Sequence, residues 1–225
     1  MALPDILTGK TDEHVALIPG EKIAMHREAL GALSKMQAAA TKQGFDLKVV
    51  SGFRDFASQL RIWNLKATGQ RALLDKRGQP LDFAKLSPPE VVFAILRWSA
   101  LPGASRHHWG TDIDVIDAKA VPDGYQVQLI PAEVAPKGMF GKLHAWLDDK
   151  MEDFGFFRPY AEDLGGVSPE RWHLSYAPIA EKYYDAHTLE LLEGAVEASD
   201  MALKDVVLDH LPEIFEQYVA NVSPP

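Results

Sequence analysis

The chain contains no cysteine. Disulfides, thiolate metal ligands and cysteine nucleophiles are therefore excluded together, although the compartment is not settled by this alone. Long apolar runs are also missing. No window approaches the roughly 18 apolar residues of a membrane span. The first stretch, MALPDILTGKTDEHVALIPGEK, has no basic start and no apolar segment before a cleavage site, so a cytoplasmic location is expected. Positive charge is scarce: 23 Lys and Arg stand against 32 Asp and Glu, a formal net charge of −9. With no basic run, that balance argues against nucleic acid and against an electrostatic grip on membranes or anionic polymers. Small soluble substrates stay open.

What is present is an ordinary globular balance. With 225 residues, 47% apolar and 24% charged, the chain can bury a core without staples. Residues 20–44 are predicted helical from Ile23, Leu30, Leu33 and Met36, with Gly44 as the stop. FDLKVVSGF has strand character, and Phe56, Leu60 and Trp63 predict a second helix ending at Gly69. Ser87, two prolines and Glu90 predict a capped helix to about Ser99. GTDIDVIDA alternates cleanly, with Ile113 and Val115 on one face and Asp112 and Asp114 on the other. GYQVQLI alternates too and is expected to pair with it. GKLHAWLDDKMEDFGF is predicted helical and RWHLSYA a short strand. The order implies an α+β fold with a small antiparallel sheet flanked by helices. After Tyr183 two or three acidic helices are expected, with Pro212 breaking the last. The expected division is residues 1–183 as the main domain and residues 184–225 as a helical C-terminal extension. Its apolar stripes, including Leu192, Val196, Val207, Leu211 and Ile214, must cover the core or form a homodimer seam.

One stretch, SRHHWGTDID, crowds two histidines and two aspartates into eight positions. His107 and Asp114 lie seven apart with Gly110 between, and a glycine there lets the chain bend back so that both face one point. Downstream, Glu170 and His173 in SPERWHLSY lie three apart. A catalytic zinc site needs three protein ligands, a water and a nearby base. Each piece has a plain structural reading: a histidine beside a tryptophan is usually packed, Glu-x-x-His is common, and Asp112 and Asp114 could be the wet face of a strand. The combination carries more than the pieces.

These motifs resemble the zinc peptidases grouped with lysostaphin, the D-alanyl-D-alanine metallopeptidases and the hedgehog domain, and among them the VanY-like carboxypeptidases. The pattern Ser-x-His-x-x-Gly-x-x-x-Asp is met by Ser105, His107, Gly110 and Asp114, and Glu-x-x-His by Glu170 and His173. Upstream, SGFRDFASQ resembles the family's Ser-Gly-Tyr-Arg with a following Gln, through Ser51, Gly52, Arg54 and Gln59; Phe53 replaces the Tyr and lacks its hydroxyl. The resemblance spans about residues 20–177. It implies a hedgehog/D-Ala-D-Ala peptidase-like fold in which His107, Asp114 and His173 hold Zn2+, Glu170 is the general base and Arg54 meets a carboxylate or developing negative charge. Ser105, Gln59 and Ser51 are implied as substrate-binding groups. His108 falls off the ligand position. Asp112 is expected to support a ligand or to contact substrate.

The implied substrate is a peptidoglycan stem peptide or muropeptide that loses its terminal D-alanine. Soluble recycled fragments are largely tetrapeptides, which favours an L,D-carboxypeptidase; a D,D-carboxypeptidase acting on pentapeptides is next. A phage-type endolysin endopeptidase of the same family is the nearest rival, disfavoured by the acidic C-terminal helices. A non-catalytic zinc-containing binding protein is disfavoured by the presence of both Glu170 and Arg54. A two-metal phosphoesterase would want more carboxylates.

Overall fold

The computed structural model describes residues 2–225. The chain enters through helix α1 (Leu3–Leu7) and a hairpin of β1 (Val15–Leu17) and β2 (Ala24–His26). Helix α2 (Leu30–Lys42), strand β3 (Leu47–Ser51) and helices α3 (Phe56–Ala67) and α4 (Pro88–Leu96) follow. A 3-10 turn over Arg106–Trp109 leads into β4 (Asp112–Asp117). Then come α5 (Pro131–Val134), α6 (Gly141–Lys150), β5 (Phe156–Phe157) and β6 (His173–Tyr176). Helices α7 (Ala177–Ala186), α8 (Leu189–Glu197), α9 (Lys204–Asp209) and α10 (Leu211–Ile214) close the chain.

Local chemistry sets several of these ends. The Asp55 carboxylate accepts the Ser58 N–H at 2.7 Å and starts α3. Glu90 reaches back to the Ser87 N–H at 2.8 Å, the expected capping box of α4. Gly44 and Gly155, both with positive φ, follow the helical segments ending at Lys42 and Phe154.

Strands β3, β4, β6 and β5 form, in that order, one antiparallel sheet. Its alternation separates two worlds. Val49, Ile113, Val115 and Leu174 pack with Leu33, Met36, Leu143 and Leu147 of α2 and α6 in one buried cluster. The opposite face carries Asp112, Asp114, His173 and Ser175. Every residue of β4 is buried, so its aspartates are not a wet face. A second cluster joins α3 and α4 to the last helices, through Trp63, Val92, Ile95, Leu192, Val196, Val207, Leu211 and Ile214. Trp63 Nε1 also donates to the Ala202 carbonyl at 3.0 Å.

Two expectations are corrected. Residues 20–26 are not helical. Ala24–His26 pair with β1, the Ala24 carbonyl accepts the Phe53 N–H at 2.7 Å, and the His26 N–H donates to the Gly110 carbonyl at 2.7 Å. Long-range pairing overrides the helical spacing. GYQVQLI is not a strand. Glu133 takes its backbone donors, accepting from Gln128 N at 2.9 Å and Leu129 N at 2.8 Å, while β3 and β6 already occupy both edges of β4. The last helix is broken beside Pro212 as expected: α9 ends at Asp209 and α10 opens at Leu211, with the proline in its first turn, where it forfeits no helical hydrogen bond.

Candidate active site

Asp114 and His173 are direct cross-strand partners of β4 and β6, so both side chains leave the same face of the sheet. His107 arrives from the 3-10 turn just before β4. Gly110 makes that approach feasible: its φ is 68°, and a Cβ there would lie 2.5 Å from Val15 Cγ1 and 2.9 Å from the His26 nitrogen. One ligand atom each from His107, Asp114 and His173 falls within 4.8 Å of the others, and all three residues are buried.

The remaining hydrogen bonds choose the metal-facing atoms. His107 donates from Nδ1 to the Gly52 carbonyl at 2.9 Å, which leaves Nε2 3.5 Å from Asp114 Oδ2. His173 donates from Nε2 to Asp112 Oδ1 at 2.9 Å, which leaves Nδ1 3.2 Å from Asp114 Oδ1 and 3.6 Å from Glu170 Oε2. Asp114 Oδ1 and His173 Nδ1 are buried without any hydrogen-bond partner. Orphaned buried atoms of this kind are costly unless something fills the space between them. An imidazole pair and a carboxylate with outer hydrogen bonds to a carbonyl and a second carboxylate suit zinc.

Electrostatics agree. Burial alone would push the His173 imidazole down, but the hydrogen bond to Asp112 and the charges of Asp114 and Asp112 outweigh it and raise it to about 10. The two carboxylates thus favour positive charge beside them, as a metal ion would supply. Burial, with Arg54 and His173 adding to it, lowers His107 to about 4 despite Asp114, so its imidazole is neutral and free to ligate. Burial raises Glu170 to about 7, against the pull of His173 and Arg54.

Asp112 lies wholly inside. Its Oδ1 accepts from Arg106 Nε at 2.8 Å and from His173; its Oδ2 accepts from Thr111 Oγ1 at 2.6 Å and Ser175 Oγ at 3.0 Å. Burial works against its charge, yet Arg106 and these donors hold the carboxyl well below its usual range. Asp112 is thus bonded to His173 and does not line the cleft. Gln59 and Ser51 are likewise redirected. Arg54 donates from Nη1 to Gln59 Oε1 at 2.9 Å and from Nη2 to Ser51 Oγ at 3.1 Å, and Gln59 Nε2 is spent on the Ala100 carbonyl at 2.7 Å. They aim the guanidinium; neither lines the cleft. Ser105 does line it, with Arg54, His107, Asp114, Glu170 and His173, in a cavity of about 670 Å³.

The doubled histidine has a structural answer. The Gly103 N–H donates to His108 Nε2 at 3.1 Å, so Nδ1 carries the proton and donates to the Arg54 carbonyl at 2.6 Å. Arg54 N in turn donates to the His107 carbonyl at 3.1 Å. One histidine faces the metal position and its neighbour clamps the arginine loop. Sequence reasoning missed Arg106, Tyr160, Lys66 and the wall at Gln128–Ala132. Arg106 adjoins His107, but nothing in the spacing shows that it reaches Asp112.

Comparison with known proteins covers the same region. Residues 22–179 match the family model VanY, D-alanyl-D-alanine carboxypeptidase. That span begins just before β2, takes in the sheet and every site residue, and ends before α8. An uncharacterized protein of Haemophilus influenzae is 34% identical over 121 residues, 53% of this chain and 92% of that one. A D-alanyl-D-alanine carboxypeptidase of Enterococcus faecalis is 29% identical over 151 residues, 65% of this chain and 46% of its own length. The fold matches the vancomycin resistance D,D-pentapeptidase VanY solved in complex with Zn(II), with a TM-score of 0.53, 24% identity, and 80% and 89% of the two chains covered. It also matches the LD-carboxypeptidase LdcB, with a TM-score of 0.54, 23% identity, and coverage of 93% and 80%. With the matched span holding the whole buried cluster, the chain belongs to the VanY family of D-alanyl-D-alanine carboxypeptidases.

Proposed function

We propose that the protein is a zinc metallocarboxypeptidase that removes the terminal D-alanine from peptidoglycan stem peptides, with tetrapeptides (L,D activity) favoured over pentapeptides (D,D activity). One observation carries the zinc reading: Asp114 Oδ1 and His173 Nδ1 are buried and unpartnered, and they converge with His107 Nε2 beside Glu170. His107, Asp114 and His173 would hold the ion. Bound there, zinc supplies Lewis acidity and brings the pKa of a water to roughly 7.

The chain's own groups supply the rest. Glu170, raised to about 7, takes a proton at its carboxylate and returns it to the leaving amine. Arg54 is buried enough to be preorganised, and its fork matches a terminal carboxylate or a carbonyl oxygen gaining charge. Ser105 is a further polar group on the cleft wall. Asp112 keeps His173 in one tautomer. The net charge of −9 favours a soluble fragment over an anionic wall polymer, and the tetrapeptide preference rests on that fragment being a recycled one.

The test is product mass. Zinc-loaded protein and a Glu170→Gln variant are incubated with a tetrapeptide and a pentapeptide. Loss of one alanine from the tetrapeptide by the native protein alone is expected, with an acid limb no higher than about 7 because activity needs Glu170 ionised. The variant should lose at least about 100-fold while still binding zinc. Loss from the pentapeptide alone would move the protein to the D,D class. A cut inside the stem, or none at all, would overturn the carboxypeptidase reading.

A further inference from the structure

Four arginines of this protein are held in ion pairs: Arg97, Arg106, Arg158 and Arg171 each meet an aspartate, Asp163, Asp112, Asp148 and Asp148 again. Of these, Arg106 lines the cleft, and the other cations of the cleft are not paired. Among the described residues, Arg54, Lys66, Arg71 and Arg77 all line the cavity and none makes a salt bridge with a carboxylate. In a chain with 32 acidic residues against 23 basic ones, four unpaired cations converge on one cavity whose own carboxylates are Asp114 and Glu170, an excess of positive charge that suits an anionic group of a ligand.

Arg54 already has a role at the metal end. Lys66 and Arg71 stand apart from it. Lys66 is in the last turn of α3, and its Nζ is held by Ser99 Oγ at 2.7 Å. Arg71 is tied to the same helix end, its backbone N–H donating to the Leu65 carbonyl at 2.9 Å. The two charges repel: burial first, then Arg71, brings Lys66 down to about 8. Holding like charges together beside a cavity is unfavourable until an anion enters. The Lys66 ammonium also lies close enough to Glu170 to feel its charge, so one peptide can reach both ends.

We infer that Lys66 and Arg71, with Arg77 at the rim, form a second anion subsite that binds an internal carboxylate of the peptide, separate from the terminal carboxylate. This rests on the carboxypeptidase reading above. A carboxylate fits better than a phosphate. A carboxylate is the anion that a peptide itself carries, and the subsite has no helix N-terminus with the backbone N–H groups that phosphate sites commonly use.

The test separates binding from cleavage. Zinc-loaded Glu170→Gln protein is titrated calorimetrically with two tetrapeptides. Both keep a free terminal carboxylate; one has free internal carboxylates and the other has them amidated. The free form should bind about tenfold more tightly. In Lys66→Met/Arg71→Gln on the same background the difference should shrink to about twofold or less. The single Arg71→Gln variant, at an exposed position, should give an intermediate ratio if the double variant fails to fold. Lys76→Gln, an equal charge change outside the cleft, should keep the full ratio. Equal binding by the two peptides, or an undiminished ratio in the variants, overturns the subsite. Stronger competition by pyrophosphate than by the free-carboxylate peptide overturns the carboxylate assignment. Native protein that shows the ratio but cleaves neither peptide overturns the carboxypeptidase reading and leaves the subsite standing.

Discussion

Asp112 shows how one buried residue governs its neighbours. It accepts four hydrogen bonds and none of its surface is exposed. Replacing it by Asn puts an NH2 where an acceptor is needed and leaves Arg106 charged without its partner. Removing one member of a buried ion pair costs about 3–5 kcal/mol. Asp112→Asn should therefore lower the thermal unfolding midpoint of the metal-free protein. His173 loses its orienting acceptor as well, so zinc affinity should drop by about 10–100-fold, the usual effect of losing an outer partner of a ligand. Competition with a chromogenic chelator reads the affinity, and unchanged affinity would mean that Asp112 does not orient His173.

At the scale of elements, the site joins two strands of the sheet to segments with little regular structure. The sheet supplies Asp114 and His173; the turn before β4 supplies His107; the loop after β3 supplies Arg54. The wall opposite is the irregular segment ahead of α5. Glu133, 3% exposed, accepts from the backbone of Gln128 and Leu129 and from the Tyr125 hydroxyl at 2.7 Å, and so stands in for the strand partners that this segment lacks. Glu133→Ala should cost about 1–3 kcal/mol by leaving those donors unpaired. Because Gln128–Ala132 line the cleft, KM should rise more than kcat falls. Peptide kinetics beside a denaturant titration check both, and an unchanged KM would show that the wall does not touch substrate.

For the whole molecule, the last helices are part of the second core cluster. Leu192, Val196, Val207, Leu211 and Ile214 are 2% exposed or less, against Trp63, Val92 and Ile95 of α3 and α4. Each such side chain contributes roughly 1.5–3 kcal/mol when buried, and a domain's net stability is only about 5–15 kcal/mol. A chain ending at His187 should therefore fail to fold cooperatively, and its loss of a calorimetric transition would show it. A truncated chain that kept the native transition would mean that α3 and α4 hold without this cover. The same helices buttress α3, which carries both Gln59 behind Arg54 and Lys66 on the cleft wall.

Much of this was legible from residue order. Alternation in GTDIDVIDA marked the central strand, Ser87 and Glu90 marked α4, and the spacings around Gly110 and from Glu170 to His173 marked the buried cluster of His107, Asp114 and His173 that could hold a metal. Those signals are local: period, cap chemistry and a glycine that permits a left-handed turn. What lay beyond them depends on contacts between distant segments. Only the tertiary structure decided that Asp112, Gln59 and Ser51 bond to other side chains and stand outside the cleft lining. It also decided that His108 clamps Arg54, that residues 24–26 pair as a strand, and that Glu133 replaces a strand partner for GYQVQLI. In each case a buried polar group had to find its partner across the fold, and the identity of that partner is set by packing, which no local pattern encodes.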